Sequence, residues 1–238
     1  MKRTIIILHG WNLSGARFAP LAAEFKKMGH NVFAPDLPGF GKEPPPDQPW
    51  HVVDYAEFLK KYIKKHKIKD VILVGHSFGG RVALKFAELY PNDIHAMVLT
   101  GTPGFSPIPS KKLVFFLIIS KIGGMIFALP VLNILADRAR KFLYYVAGAR
   151  EFLRAEGPMR QTFKYIVKDD LVGSMTSVRI PCLLVWGELD TIVPLSIARR
   201  MSETISGAEL KIIPQEGHAV PFKQPGLFTS YKIGRAHV

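Results

Sequence analysis

The chain has 238 residues, 48% of them hydrophobic, enough for one sizeable domain or one domain with a lid. Its single cysteine, Cys182, excludes an internal disulfide and a cysteine-rich metal site. The formal charge of +13 raises nucleic-acid binding, but the basic runs (KKYIKKHKIKD, RARK, ARR) lie on helix faces without interleaved aromatics, and no helix-turn-helix, zinc-finger or RNP pattern is present. These runs read as solvated faces, with attraction to anionic substrates or membrane surfaces as the alternative.

The opening MKRTIIILHG has an apolar run too short for a signal-peptide core, so it reads as a first strand, TIIIL (4–8), and implies a cytoplasmic protein. Further strand-like runs follow at NVFAP (31–35), VILVG (71–75), HAMVL (95–99), CLLVW (182–186) and ELKII (209–213). Helical patterns over 17–28, about 52–66, 78–90 and 195–205 fall between them, and a last helix begins near Pro221. EPPPDQP (43–49) reads as a rigid connection. Strand alternating with helix predicts an α/β fold, a mostly parallel sheet with helices on both faces.

The alternation fails between Thr102 and Arg179, where apolar and basic helical patterns replace strands. Residues 102–179 are therefore expected to form an inserted helical cap on a core made of 1–101 and 180–231. Within it, LVFFLIISKIGGMIFALPVLNIL (113–135) is long enough to span a membrane, but Lys121, Gly123–Gly124 and Pro130 favour two shorter helices. Packing of cap on core is the expected use. Phe115 and Phe116 are candidates for the pocket lining, and peripheral membrane contact through the cap stays open. The last seven residues, KIGRAHV, back-translate to a common sequencing-adapter sequence, so 232–238 are expected to be a non-native tail after a chain end near Tyr231.

The chemistry is concentrated in VILVGHSFGGRVALKFA (71–87). A buried strand meets an amphipathic helix with almost no loop, and Ser77 stands at the join. Such a turn needs small neighbours, supplied by Gly75 and Gly79, while Gly80 lets the helix pack close to the strand. The hydroxyl is then held above the sheet edge at a helix N-terminus, where N–H groups can hold a developing negative charge. This is the G-x-S-x-G nucleophile-elbow pattern; a glycine-rich turn with a capping serine is the plainer alternative.

A serine nucleophile needs a base, and the base needs an orienting acid. His218, in QEGHAVPF just past ELKII, stands at a strand's carboxyl end. His76 adjoins the serine with a diverging side chain, His9 is expected to shape the loop floor, and His30, His51, His66 and His95 lie far from carboxyl ends. Asp190, just past CLLVW, is the acid, with Glu188 as the nearby alternative and an Asx turn as the plainer role. Asp36 fits loop tethering better. The order Ser77, Asp190, His218 is that of α/β-hydrolases. Phe78 N–H, next after the serine, and Trp11 N–H, in LHGWNLS after the first strand, are the candidate oxyanion donors.

With LHGW (8–11), DLPGFG (36–41), GHSFGG (75–80), WGELD (186–190) and EGH (216–218), the sequence resembles the α/β-hydrolase superfamily, in its small capped, lipase/esterase-like branch. Two departures stand out: Glu43 occupies a place where many relatives have serine, and the chain begins at what would be the family's third strand. The resemblance implies a serine hydrolase acting on a small-molecule acyl substrate, a carboxylic ester first, with neither metal nor cofactor. A thioester or carbon–carbon bond, an acyltransferase and a low-turnover ligand receptor remain alternatives on the same residues.

Overall fold

The apolar runs become six strands: β1 (Thr4–Leu8), β2 (Asn31–Phe33), β3 (Val71–His76), β4 (Ile94–Thr100), β5 (Cys182–Gly187) and β6 (Glu209–Ile213). The computed structural model describes residues 2–105 and 156–231. The strands form one sheet in the order β2-β1-β3-β4-β5-β6, every pairing parallel. Eight α-helices accompany it among the described residues: α1 (Ala19–Lys27), α2 (Val52–Lys65), α3 (Phe78–Leu89), α4 (Gly157–Lys168), α5 (Val172–Ser177), α6 (Leu195–Thr204), α7 (Val220–Lys223) and α8 (Pro225–Ser230).

A parallel sheet is buried on both faces, which is why its strands are unbroken apolar runs. Alternate side chains serve opposite cores. Ile6, Leu8, Leu73, Leu99, Leu184 and Trp186 pack under α2, α3 and α6. Ile5, Ile7, Ile72, Val74, Val98 and Val185 pack against α1 and α8. Each fully buried side chain of this size contributes about 1.5–3 kcal/mol.

The strand order places the site. From β1 the chain crosses outward to β2, whereas β3 leads to β4 on the other side. The carboxyl ends of β1 and β3 therefore feed connections that diverge, and ligands of open parallel sheets bind in the crevice at such a switch point.

Boundaries differ from expectation where local chemistry intervenes. The first helix opens with a 3₁₀ turn, Gly15–Phe18. β2 stops at Phe33; the chain then presses Ala34 against Gly15, where a Cβ would lie 1.9 Å from the Ala34 carbonyl oxygen. The last helix is two, α7 and α8, because Pro225 lacks the N–H that would continue α7. Residues 156–179 are helical, without a strand. Residues 106–155, and with them Phe115, Phe116 and the apolar stretch 113–135, lie outside the described residues, as does the tail 232–238. Among the described residues no helix is long and apolar enough to cross a membrane.

Candidate active site

Ser77 joins β3 to α3 with φ 53° and ψ −112°, a conformation costing roughly 1–3 kcal/mol for a residue with a side chain. The turn is pinned on both sides. Ser77 N–H donates to the Thr100 carbonyl at 2.9 Å, and its own carbonyl accepts from Gly80 N–H at 3.1 Å. The glycines are steric necessities. A Cβ on Gly75 would lie 2.5 Å from the Cα of Gly80, and one on Gly79 would lie 2.1 Å from the Leu8 carbonyl oxygen. Gly80, close against β3 at Gly75, has a second neighbour: its Cβ would strike the Thr102 side chain, just past β4, at 1.9 Å.

Asp190 follows β5 by a short turn and its side chain is 1% exposed. Its Oδ1 accepts the N–H groups of Ile192 and Val193 at 2.9 and 2.8 Å, and its Oδ2 meets His218 Nδ1 at 2.7 Å. The Asx-type role and the contact with His218 thus coexist on the two oxygens. Glu188 takes no part in that contact; it is exposed and accepts the N–H of Gln215 at 3.3 Å, tethering the loop before His218.

Ser77 and His218 line one cavity of about 550 Å³, together with Trp11 and Phe78. No hydrogen bond joins Ser77 to His218 among the described residues; such bonds commonly tighten only around substrate. Among the described residues no protein acceptor takes the N–H of Trp11 or of Phe78. The Trp11 ring packs edge-on against Phe40, Phe78 and Phe163. The remaining walls are mainly apolar, with Phe105, Phe163, Ile166, Ile192 and Phe222.

The other histidines divide as their positions suggest. His9 Nε2 accepts the N–H of Leu37 and its Nδ1–H donates to the Gly10 carbonyl, both at 2.8 Å, so it ties the DLPGFG loop to the end of β1. Burial lowers its pKa, against the raising effects of the Gly10 carbonyl and Asp36. Asp36 accepts from Gly15 and Lys42 N–H and tethers the same loop. His51 pairs with Asp169 and His95 with Asp70, away from the cavity.

Two cavity residues escaped the sequence reading. His76 is buried, its Nε2 lies 3.1 Å from the His218 carbonyl oxygen, and its pKa is pushed down to about 3, first by burial and then by His218. Arg81, a charged residue on an amphipathic helix, is 2% exposed. Its two terminal nitrogens donate to the carbonyls of Pro103 and Asp169, and burial pushes its pKa down to about 10. A helical wheel shows neither contact, since each partner is distant in sequence. Cys182 is also buried, its thiol pushed up to about 12 by burial, which makes it a poor nucleophile.

Known proteins similar to this chain are numerous. The chain is 28% identical to the pimeloyl-(acyl-carrier protein) methyl ester esterase of Shewanella woodyi, over 92% of this chain and 87% of that protein. It is also 28% identical to a 2-hydroxy-6-oxononadienedioate/2-hydroxy-6-oxononatrienedioate hydrolase of Paraburkholderia phymatum, over 91% of this chain and 81% of that one. The solved esterase of Exiguobacterium antarcticum superposes with a TM-score of 0.74 at 19% identity, covering 96% of this chain and 89% of that chain, a likeness of fold. The family model for alpha/beta hydrolases matches residues 5–230, and the chain belongs to the alpha/beta hydrolase family of enzymes.

Proposed function

We propose that the protein is a serine hydrolase that cleaves an acyl bond, with a carboxylic ester carrying an apolar acyl or alcohol part as the leading substrate. Ser77 Oγ attacks the carbonyl carbon. His218 Nε2 takes the hydroxyl proton and returns it to the leaving group, while Asp190 orients His218 through Nδ1 and stabilises the imidazolium. The N–H groups of Trp11 and Phe78 receive the oxyanion, and water then releases the acyl group from Ser77. The reading calls on no metal or cofactor. It takes 102–179 as a cap above the site and places a small-molecule acyl substrate, in the cytoplasm, beneath it.

The observation that carries it is the 2.7 Å contact between Asp190 and His218 on the cavity that Ser77 lines. A second reading, hydrolysis of a carbon–carbon bond on the same residues, draws on the likeness to the Paraburkholderia oxononadienedioate hydrolase. The test is labelling by a fluorophosphonate probe, followed by turnover of a panel of esters and an oxo-dienoate. Ser77→Ala should abolish labelling and lower turnover on the order of 10⁶-fold. Asp190→Asn should lose on the order of 10⁴-fold, with Glu188→Gln near wild type. A tenth of wild-type turnover in Ser77→Ala, or the reverse ranking of the two acid variants, would reassign the roles.

A further inference from the structure

We propose that His76 is a positioning residue for His218, holding by a hydrogen bond the main chain of the loop that carries the base. The inference rests on the reading of His218 as general base.

His76 ends β3, immediately before Ser77. Its Nε2 faces the carbonyl oxygen of His218 at 3.1 Å, and the two rings lie 4.8 Å apart. A carbonyl oxygen only accepts, so the proton of the neutral ring must be on Nε2. Among the described residues no other donor reaches that carbonyl. Phe222 and Phe18 pack on the His76 ring at 5.2 and 5.8 Å and hold it in place.

Nδ1 then carries a bare lone pair, buried and without a partner. Gly10 closes over it, since a Cβ there would lie 2.9 Å from Nδ1. A buried acceptor without a donor is unfavourable, and a phenylalanine would fill the same space without one. What phenylalanine lacks is the Nε2 donor. That donor fixes a loop with few other anchors next to the base: Leu189 N–H to the Glu216 carbonyl precedes it, and Gly217 intervenes. The His218 ring meanwhile rests on Gly101, where a Cβ would lie 2.5 Å from its Cε1. The base is thus held by Asp190 at Nδ1, by the absence of a side chain at Gly101, and by His76 through its own backbone. The same burial keeps His76 uncharged, which spares the forming imidazolium a cationic neighbour.

The experiment compares wild type with His76→Gln, whose side-chain amide can donate from nearly the same place, and with His76→Phe and His76→Met, which fill the space without a donor. His218→Ala runs beside them. Steady-state ester kinetics should show kcat reduced between about 10- and 100-fold in the two non-donors, with KM unchanged, and kcat restored in His76→Gln. The downfield proton resonance of His218 Nδ1–H should be sharp in wild type and His76→Gln and broadened in His76→Phe. If His76→Phe does not fold, His76→Met supplies the comparison. Wild-type kcat in either non-donor, or equal losses in Gln and Phe, overturns the positioning role. Activity surviving in His218→Ala would instead remove the base assignment beneath it.

Discussion

Ser77 occupies a backbone conformation that L residues rarely adopt, and the residues flanking it, His76 and Phe78, are buried. His76 shows how such crowding reaches beyond catalysis. Its ordinary pKa is 6.5 and in the folded protein it is about 3. Between those values the unfolded chain binds a proton that the folded chain does not, so stability is retained above pH 6.5 and falls as the pH drops. The loss is on the order of 1.4 kcal/mol per pH unit in that window. His9, also lowered by burial, acts with the same sign. Melting temperatures at pH 7 and pH 5 should therefore diverge more for wild type than for His76→Gln; parallel shifts would contradict the burial argument. The positions of Ser77, Asp190 and His218 were legible because each follows an apolar strand run. His76 and Arg81 were not. Their partners lie 142 and 88 residues away, and a contact at that range leaves no period in the sequence.

At the scale of elements, most strands and helices were legible because a parallel sheet buries both faces and its helices bury one. The errors fall where tertiary neighbours decide. Ala34 presses against Gly15 beyond the end of β2, and Gly80 must be small for Thr102, remote in sequence, as well as for the strand. The β3–α3 junction also sets a steric expectation. A Cβ at Gly79 would meet the backbone of Leu8, which cannot swing aside, whereas Gly226 on α8 has nothing within 4 Å. Gly79→Ala should cost about 3 kcal/mol or more. Gly226→Ala should be close to neutral. Chemical denaturation of the two variants checks this, and equal midpoints would mean that the junction relaxes more readily than its packing implies.

For the whole molecule, the proposed function makes substrate choice depend on what faces Ser77 across the cavity. The sequence pointed to Phe115 and Phe116, which lie outside the described residues; the described wall has Phe105, Phe163 and Ile166. Phe163 also packs on Trp11, with ring centroids 5.0 Å apart. Each buried methylene contributes about 0.8 kcal/mol, so three extra acyl carbons are worth more than about tenfold. On the proposed function, p-nitrophenyl esters of medium acyl chains should have higher kcat/KM than the acetate, and Phe163→Asn should narrow the gap. An enzyme that prefers acetate, with activity falling steadily along the series, would refute this view of the wall. Arg81 bears on the same region in another way. It holds the carbonyls of Pro103 and Asp169, near the two ends of the stretch between β4 and α5, from a helix that begins directly after Ser77. Carbonyls are common to all residues, so the grip is indifferent to the side chains between those ends. Substitutions at 103 and 169 that leave the backbone in place would keep both anchor points tied to the helix that begins beside Ser77.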